Sequence, residues 1–105
     1  DVRGRNVLIV DDIIDTAGTL INTVAALKEA GAERVFAGCV HAVLSGPAID
    51  RLNASAIEKV FCSNSLPIDE KGARCPILVP LSIGPLLGEA IHRIHEGTSV
   101  SSLFV

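Results

Sequence analysis

Residues Val7 to Leu20 read VLIVDDIIDTAGTL: four aliphatic side chains, two adjacent acids, a third acid at Asp15, and then a small, hydroxyl-rich run around Gly18. The β-branched and aliphatic run Asn6 to Val10 predicts a strand buried on both faces, the pattern of a parallel sheet. From Thr19 to Ala30 the residues Leu20, Val24 and Leu27 recur at helical spacing, and Gly31 supplies a C-terminal cap. The stretch is a strand, a loop and a helix, and the rest of the chain repeats that order.

Arg34 to Val43 reads as a second strand, and Ser45-Gly-Pro-Ala opens a short helix to about Asn53, with Pro47 suited to its first turn. Ile57 to Cys62 and Ile77 to Leu81 read as further strands. Between them, the polar stretch Ser63 to Arg74 predicts a solvated loop with room for a helical turn. Ile83 to Glu96 predicts a final helix whose apolar stripe, Leu87, Ala90, Ile91 and Ile94, faces the core. Strands alternating with helices at this interval predict an α/β fold, an open and mostly parallel sheet flanked by helices with right-handed crossovers.

Composition narrows the function. At 105 residues, 49% hydrophobic and 20% charged, the chain has room for one core. A net charge of -3 and three aromatic residues give neither a basic stripe nor a stacking platform, which argues against nucleic acid as a partner. Cys39, Cys62 and Cys75 are odd in number and contain no CxxC pair, a pattern of reduced, buried thiols that points to the cytoplasm. No apolar run approaches the ~18 residues of a membrane span, and no signal-peptide pattern is present. The chain begins at Asp1 rather than at Met and reaches a buried strand within a few residues, as expected of a piece of a longer protein.

In parallel α/β sheets, ligands collect at the carboxyl ends of strands, where Asp11 and Asp12 fall. The helix that follows begins near Thr16 to Thr19, so its first N–H groups lack intrahelical partners and carry the positive end of the helix dipole. Phosphate suits that position: Gly18 lets backbone approach closely, Thr16 and Thr19 offer hydroxyl donors, and Ala17 keeps the wall small. Carboxylates are acceptors and suit sugar hydroxyls. The simpler reading is that Asp15 or Thr16 caps the helix while Asp11 and Asp12 are solvated. A cap needs one acceptor, however, and does not explain two consecutive acids against a buried strand.

The whole string resembles the phosphoribosyl pyrophosphate motif of type I phosphoribosyltransferase folds, and DDIIDTAGTL is most similar to the version in ribose-phosphate pyrophosphokinases. Leu44-Ser-Gly-Pro-Ala-Ile49 and Ile94-His-Glu-Gly-Thr-Ser-Val-Ser-Ser-Leu-Phe104 extend the resemblance along essentially the whole chain, as the C-terminal portion of such an enzyme. It implies one phosphoribosyltransferase-like subdomain over residues 1–105. Asp11 and Asp12 would hold the ribose hydroxyls, and Asp15, Thr16, Ala17, Gly18 and Thr19 would surround the 5-phosphate. The implied reaction transfers the diphosphoryl group of ATP to ribose 5-phosphate with Mg2+, making phosphoribosyl pyrophosphate and AMP. The family's ATP site, most of its magnesium ligation and its basic catalytic loop would precede Asp1, so this segment would be an acceptor half-site, inactive alone.

Two relatives share the loop: a base-transferring phosphoribosyltransferase, and a catalytically silent regulatory partner of the synthetase. VLIVDD also opens receiver domains of two-component signalling, but Asp50 falls in a predicted helix and no lysine follows Lys71, which leaves that fold without its phosphoacceptor and its lysine. His92 and His95, beside Glu89 and Glu96, have a metal-compatible spacing but lack a third ligand and lie off the apolar stripe, as a solvated surface does. His41 reads as a core or rim histidine. The terminal Ser99-Val-Ser-Ser-Leu-Phe104 alternates small polar and apolar residues and predicts a short edge strand. By resemblance, Ser99, Ser101 and Phe104 contribute to an inter-subunit regulatory site for phosphate or ADP. Serines carry no charge, so the arginines for such a site are expected from another subunit of a homo-oligomer, a hexamer by resemblance.

Overall fold

The computed structural model describes residues 1–104. Strand β1 (Asn6–Ile14) leads into helix α1 (Gly18–Glu29), then β2 (Arg34–Ala42), α2 (Ala48–Ala54), β3 (Ile57–Ser63), α3 (Asp69–Arg74), β4 (Leu78–Leu81) and α4 (Gly84–Glu96). All neighbouring strands are parallel, in the order β1-β2-β3-β4. The expected α/β sheet is present, and α1 ends as its sequence predicts. Gly31 sits at φ 95°, and the N–H of Ala32 reaches back to the carbonyl of Leu27 at 3.0 Å, closing the helix with a left-handed residue.

The core lies on one face of the sheet. Val35, Ala37 and Cys39 of β2 and Val60 and Cys62 of β3 point there, against Val24 of α1 and Ile49 and Leu52 of α2. The opposite face keeps Leu8, Val10 and Val40 exposed. Strand order explains this. Right-handed crossovers that always step in the same direction put every connecting element on the same side.

Three expectations change. The polar stretch Ser63 to Arg74 contains a six-residue helix, α3, tied down by a bond from Lys71 Nζ to the carbonyl of Val43. Helix α4 has its apolar stripe but buries none of it: Leu87, Ile91 and Ile94 are all exposed, because among the described residues no element packs against them. The terminal residues form no edge strand. Ser101–Phe104 is a turn of 3-10 helix, started by the reversal at Gly97, whose φ is 71°. Leu103 is half-buried while Phe104 is 69% exposed, so only the former acts as an anchor.

Candidate functional site

Strand β1 runs four residues further than its aliphatic core, carrying Asp11 and Asp12 within the strand rather than beyond it. The following loop, Asp15–Ala17, turns sharply. Ala17 takes the left-handed conformation, φ 65° and ψ 9°, and precedes the first residue of α1. No side chain caps this helix, so the capping reading of Asp15 and Thr16 does not hold. The carboxylate of Asp15 is instead engaged by the hydroxyl of Ser45, and its carbonyl accepts the N–H of Ser45 at 3.0 Å.

The first N–H of α1 with a backbone acceptor is that of Ile21, bonded to the carbonyl of Ala17 at 3.0 Å. The N–H groups of Gly18, Thr19 and Leu20 therefore remain available, at the positive end of the helix. They border a cavity of about 320 Å3, lined by Asp11, Asp15, Thr16, Ala17, Gly18 and Thr19 together with Ile9, Ile13, Thr23 and the β2 residues Ala37 and Gly38. That volume lies at the small end of ligand pockets. One lining thus brings together two acids, Asp11 and Asp15, free N–H donors and three threonines.

Asp12 is not part of that wall. It is exposed, with its own carboxylate accepting the N–H of Ile13 at 2.8 Å, while the Asp11 carboxylate accepts the N–H of Asp12 at 2.8 Å. The neighbouring Asp11 side chain and then the Ile13 N–H hold the Asp12 carboxyl below the ordinary carboxylate range, and His41 adds a smaller effect in the same direction. His41 is an exposed rim residue, its Nδ1 bonded to Ser65 Oγ at 2.8 Å.

The loop contains no basic residue, yet the structure brings one to it. Arg51 of α2 donates from Nη1 to the carbonyl of Thr16 at 3.0 Å. Thirty-five positions separate the two in sequence, so neither periodicity nor local spacing reveals the contact. At the C-terminus, Ser99 Oγ and Ser101 Oγ lie 3.0 Å apart, and Arg93 of the same chain donates to the Ser99 carbonyl at 3.1 Å and to Ser102 Oγ. An arginine thus stands beside these serines without a second subunit, paired also with Glu89 at 2.9 Å. His92 and His95 are exposed on α4. Among the described residues no helix is long and apolar enough to cross a membrane.

The family described as the phosphoribosyl synthetase-associated domain matches residues 1–105. The chain is 54% identical over 104 residues to a ribose-phosphate pyrophosphokinase of Aquifex aeolicus, covering 99% of this chain and 33% of that protein. It is 50% identical over 105 residues to the chloroplastic ribose-phosphate pyrophosphokinase 2 of Arabidopsis thaliana, covering all of this chain and 26% of that one. A crystal structure of phosphoribosylpyrophosphate synthetase from Mycobacterium smegmatis superposes with a TM-score of 0.87 at 42% identity, over 92% of this chain and 32% of the other. The chain spans about a third or less of the length of the relatives it matches. With the sheet, the loop and the sequence likeness all in agreement, it belongs to the phosphoribosyl synthetase-associated domain family, whose matching relatives are ribose-phosphate pyrophosphokinases.

Proposed function

We propose that this chain is the ribose-5-phosphate-binding part of a ribose-phosphate diphosphokinase, an enzyme of nucleotide biosynthesis. The observation that supports it best is the cavity that joins the free N–H groups of Gly18, Thr19 and Leu20 to the carboxylate of Asp11. The 5-phosphate takes the helix end and the threonine hydroxyls, while Asp11 from the wall and the exposed Asp12 accept the ribose hydroxyls. Held so, the sugar presents its C1 hydroxyl to the diphosphoryl group of ATP, and phosphoribosyl pyrophosphate and AMP result. Such transfers depend on positioning and on neutralising charge, so a preorganised acceptor site is itself a catalytic part.

Magnesium enters this proposal with the nucleotide. Among the described residues no three His, Cys, Asp or Glu side chains converge as a metal cage. The ATP site and the rest of the enzyme belong to polypeptide outside these residues. The clustered Ser99, Ser101 and Arg93, with exposed Phe104 nearby in sequence, support a regulatory site for phosphate or ADP; the homo-oligomer and the cytoplasm belong to the proposal by family likeness alone.

Thr19→Val tests the loop. Removing a hydroxyl donor to a phosphate should weaken ribose 5-phosphate binding by about 1.5 to 3 kcal/mol in the full-length protein, measured by calorimetry. Unchanged affinity would count against the assignment. Supplying ribose 5-phosphate and ATP, or phosphoribosyl pyrophosphate and a base, separates the synthetase from a base-transferring enzyme. A silent regulatory partner would turn over neither pair.

A further inference from the structure

We propose that Arg51, on α2, is a positioning residue of the phosphate loop, holding its N–H groups in the geometry that receives the anion; the inference rests on the ribose 5-phosphate reading. The loop needs an outside hold. Ala17 is a left-handed alanine, a conformation that costs about 1 to 2 kcal/mol and persists only where surrounding contacts over-determine it. Those contacts come from Ser45–Arg51, whose sequence SGPAIDR overlaps the second stretch of the family likeness and otherwise has no part in the cavity. Ser45 binds both the carboxylate and the carbonyl of Asp15, and the buried Ala48, Ile49 and Leu52 fix α2 against the core. From that fixed base Arg51 reaches the carbonyl of Thr16.

The direction of this bond matters. In a trans peptide the C=O of Thr16 and the N–H of Ala17 point opposite ways, so drawing the carbonyl toward Arg51 turns the N–H away from it. Gly18 leaves the guanidinium its place. A Cβ there would lie 3.2 Å from Arg51 Nη1, with nothing else closer than the same guanidinium's carbon at 3.9 Å. The two ion pairs among the described residues join Arg34 to Glu58 and Arg93 to Glu89, so no carboxylate there neutralises Arg51, and its charge stays beside the loop.

Arg51→Ala, Arg51→Lys and Thr19→Val in the full-length protein test this, with circular dichroism and thermal unfolding to establish that each variant is folded. Arg51→Ala should raise KM for ribose 5-phosphate about tenfold, the loss expected of one charge-assisted hydrogen bond, and raise it more than kcat falls. KM for ATP should hold. Arg51→Lys keeps a charged N–H donor on a side chain of nearly the same reach and should recover part of the loss, which a packing role alone would not allow. If Thr19→Val raises this KM and Arg51→Ala leaves it within about twofold, the positioning role is wrong while the loop assignment stands. If neither changes it, the loop assignment itself fails and takes this inference with it. Equal losses from Arg51→Ala and Arg51→Lys also overturn the proposal, because the charged hydrogen bond would then not be what Arg51 supplies.

Discussion

Between Asp11 and Ile14 the alternation of β1 changes phase: Val7 and Ile9 turn toward the core, and so does Ile14, an odd number of residues later. β2 slips in the same way between Cys39 and Ala42. Asp11 still follows the phase of Val7 and Ile9, and as its strand neighbour Asp12 points the other way, so only Asp11 lines the cavity. Asp11→Asn should therefore weaken ribose 5-phosphate binding several-fold more than Asp12→Asn, and both should spare inorganic phosphate; equal effects by calorimetry would mean that a place in the cavity lining does not set the contribution to sugar binding. Cys39 is a residue of the other kind, buried and silent. Burial, reinforced by Cys62, pushes its thiol up to about 11. Between the ordinary thiol value and about 11, the unfolded chain gives up this proton while the folded one keeps it, so stability is full below that window and falls as pH rises through it. Denaturant unfolding across pH 8 to 11 should show the fall, and Cys39→Ala should flatten it. A slope that survives the substitution would assign the loss to other groups.

Among the elements, α2 and α4 carry similar apolar stripes with opposite fates. Leu52 of α2 is fully buried, whereas Ile91 of α4 is 68% exposed. Leu52→Ala should destabilise this chain by about 2 to 5 kcal/mol, the cost of an empty core site, and Ile91→Ala by under about 0.5 kcal/mol. Urea unfolding of the two variants gives both numbers, and a large loss from Ile91→Ala would show that α4 packs against this chain in solution. Helix α1 makes the complementary point. Its start is set by the left-handed turn at Ala17 and by the bonds that Ser45 and Arg51 make to the loop, and no cap residue in its own sequence fixes it. That leaves the helix's first donors free for an anion.

The described residues form a sheet covered on one face, with α4 bare, and have extents of 51 × 34 × 18 Å and a radius of gyration of 16.2 Å, against about 13 Å for a compact domain of this length. Its uncovered sheet face and the bare stripe of α4 should make the isolated chain self-associate. Sedimentation should show this at micromolar concentration, with Val10→Thr and Ile91→Gln together reducing it; a stable monomer would show that the exposed face is tolerated by water. By itself the sequence determined the order of strands and helices, the parallel sheet, the left-handed end of α1 and the stretch that forms the loop, because periodicity and turn chemistry act over a few neighbouring residues. Tertiary structure alone decided that α4 lies bare, that the tail turns as 3-10 helix, that Asp12 leaves the cavity wall and that Arg51 reaches Thr16. Most of these depend on contacts between segments distant in sequence, and a local pattern records that a face is apolar without recording what, if anything, lies opposite it.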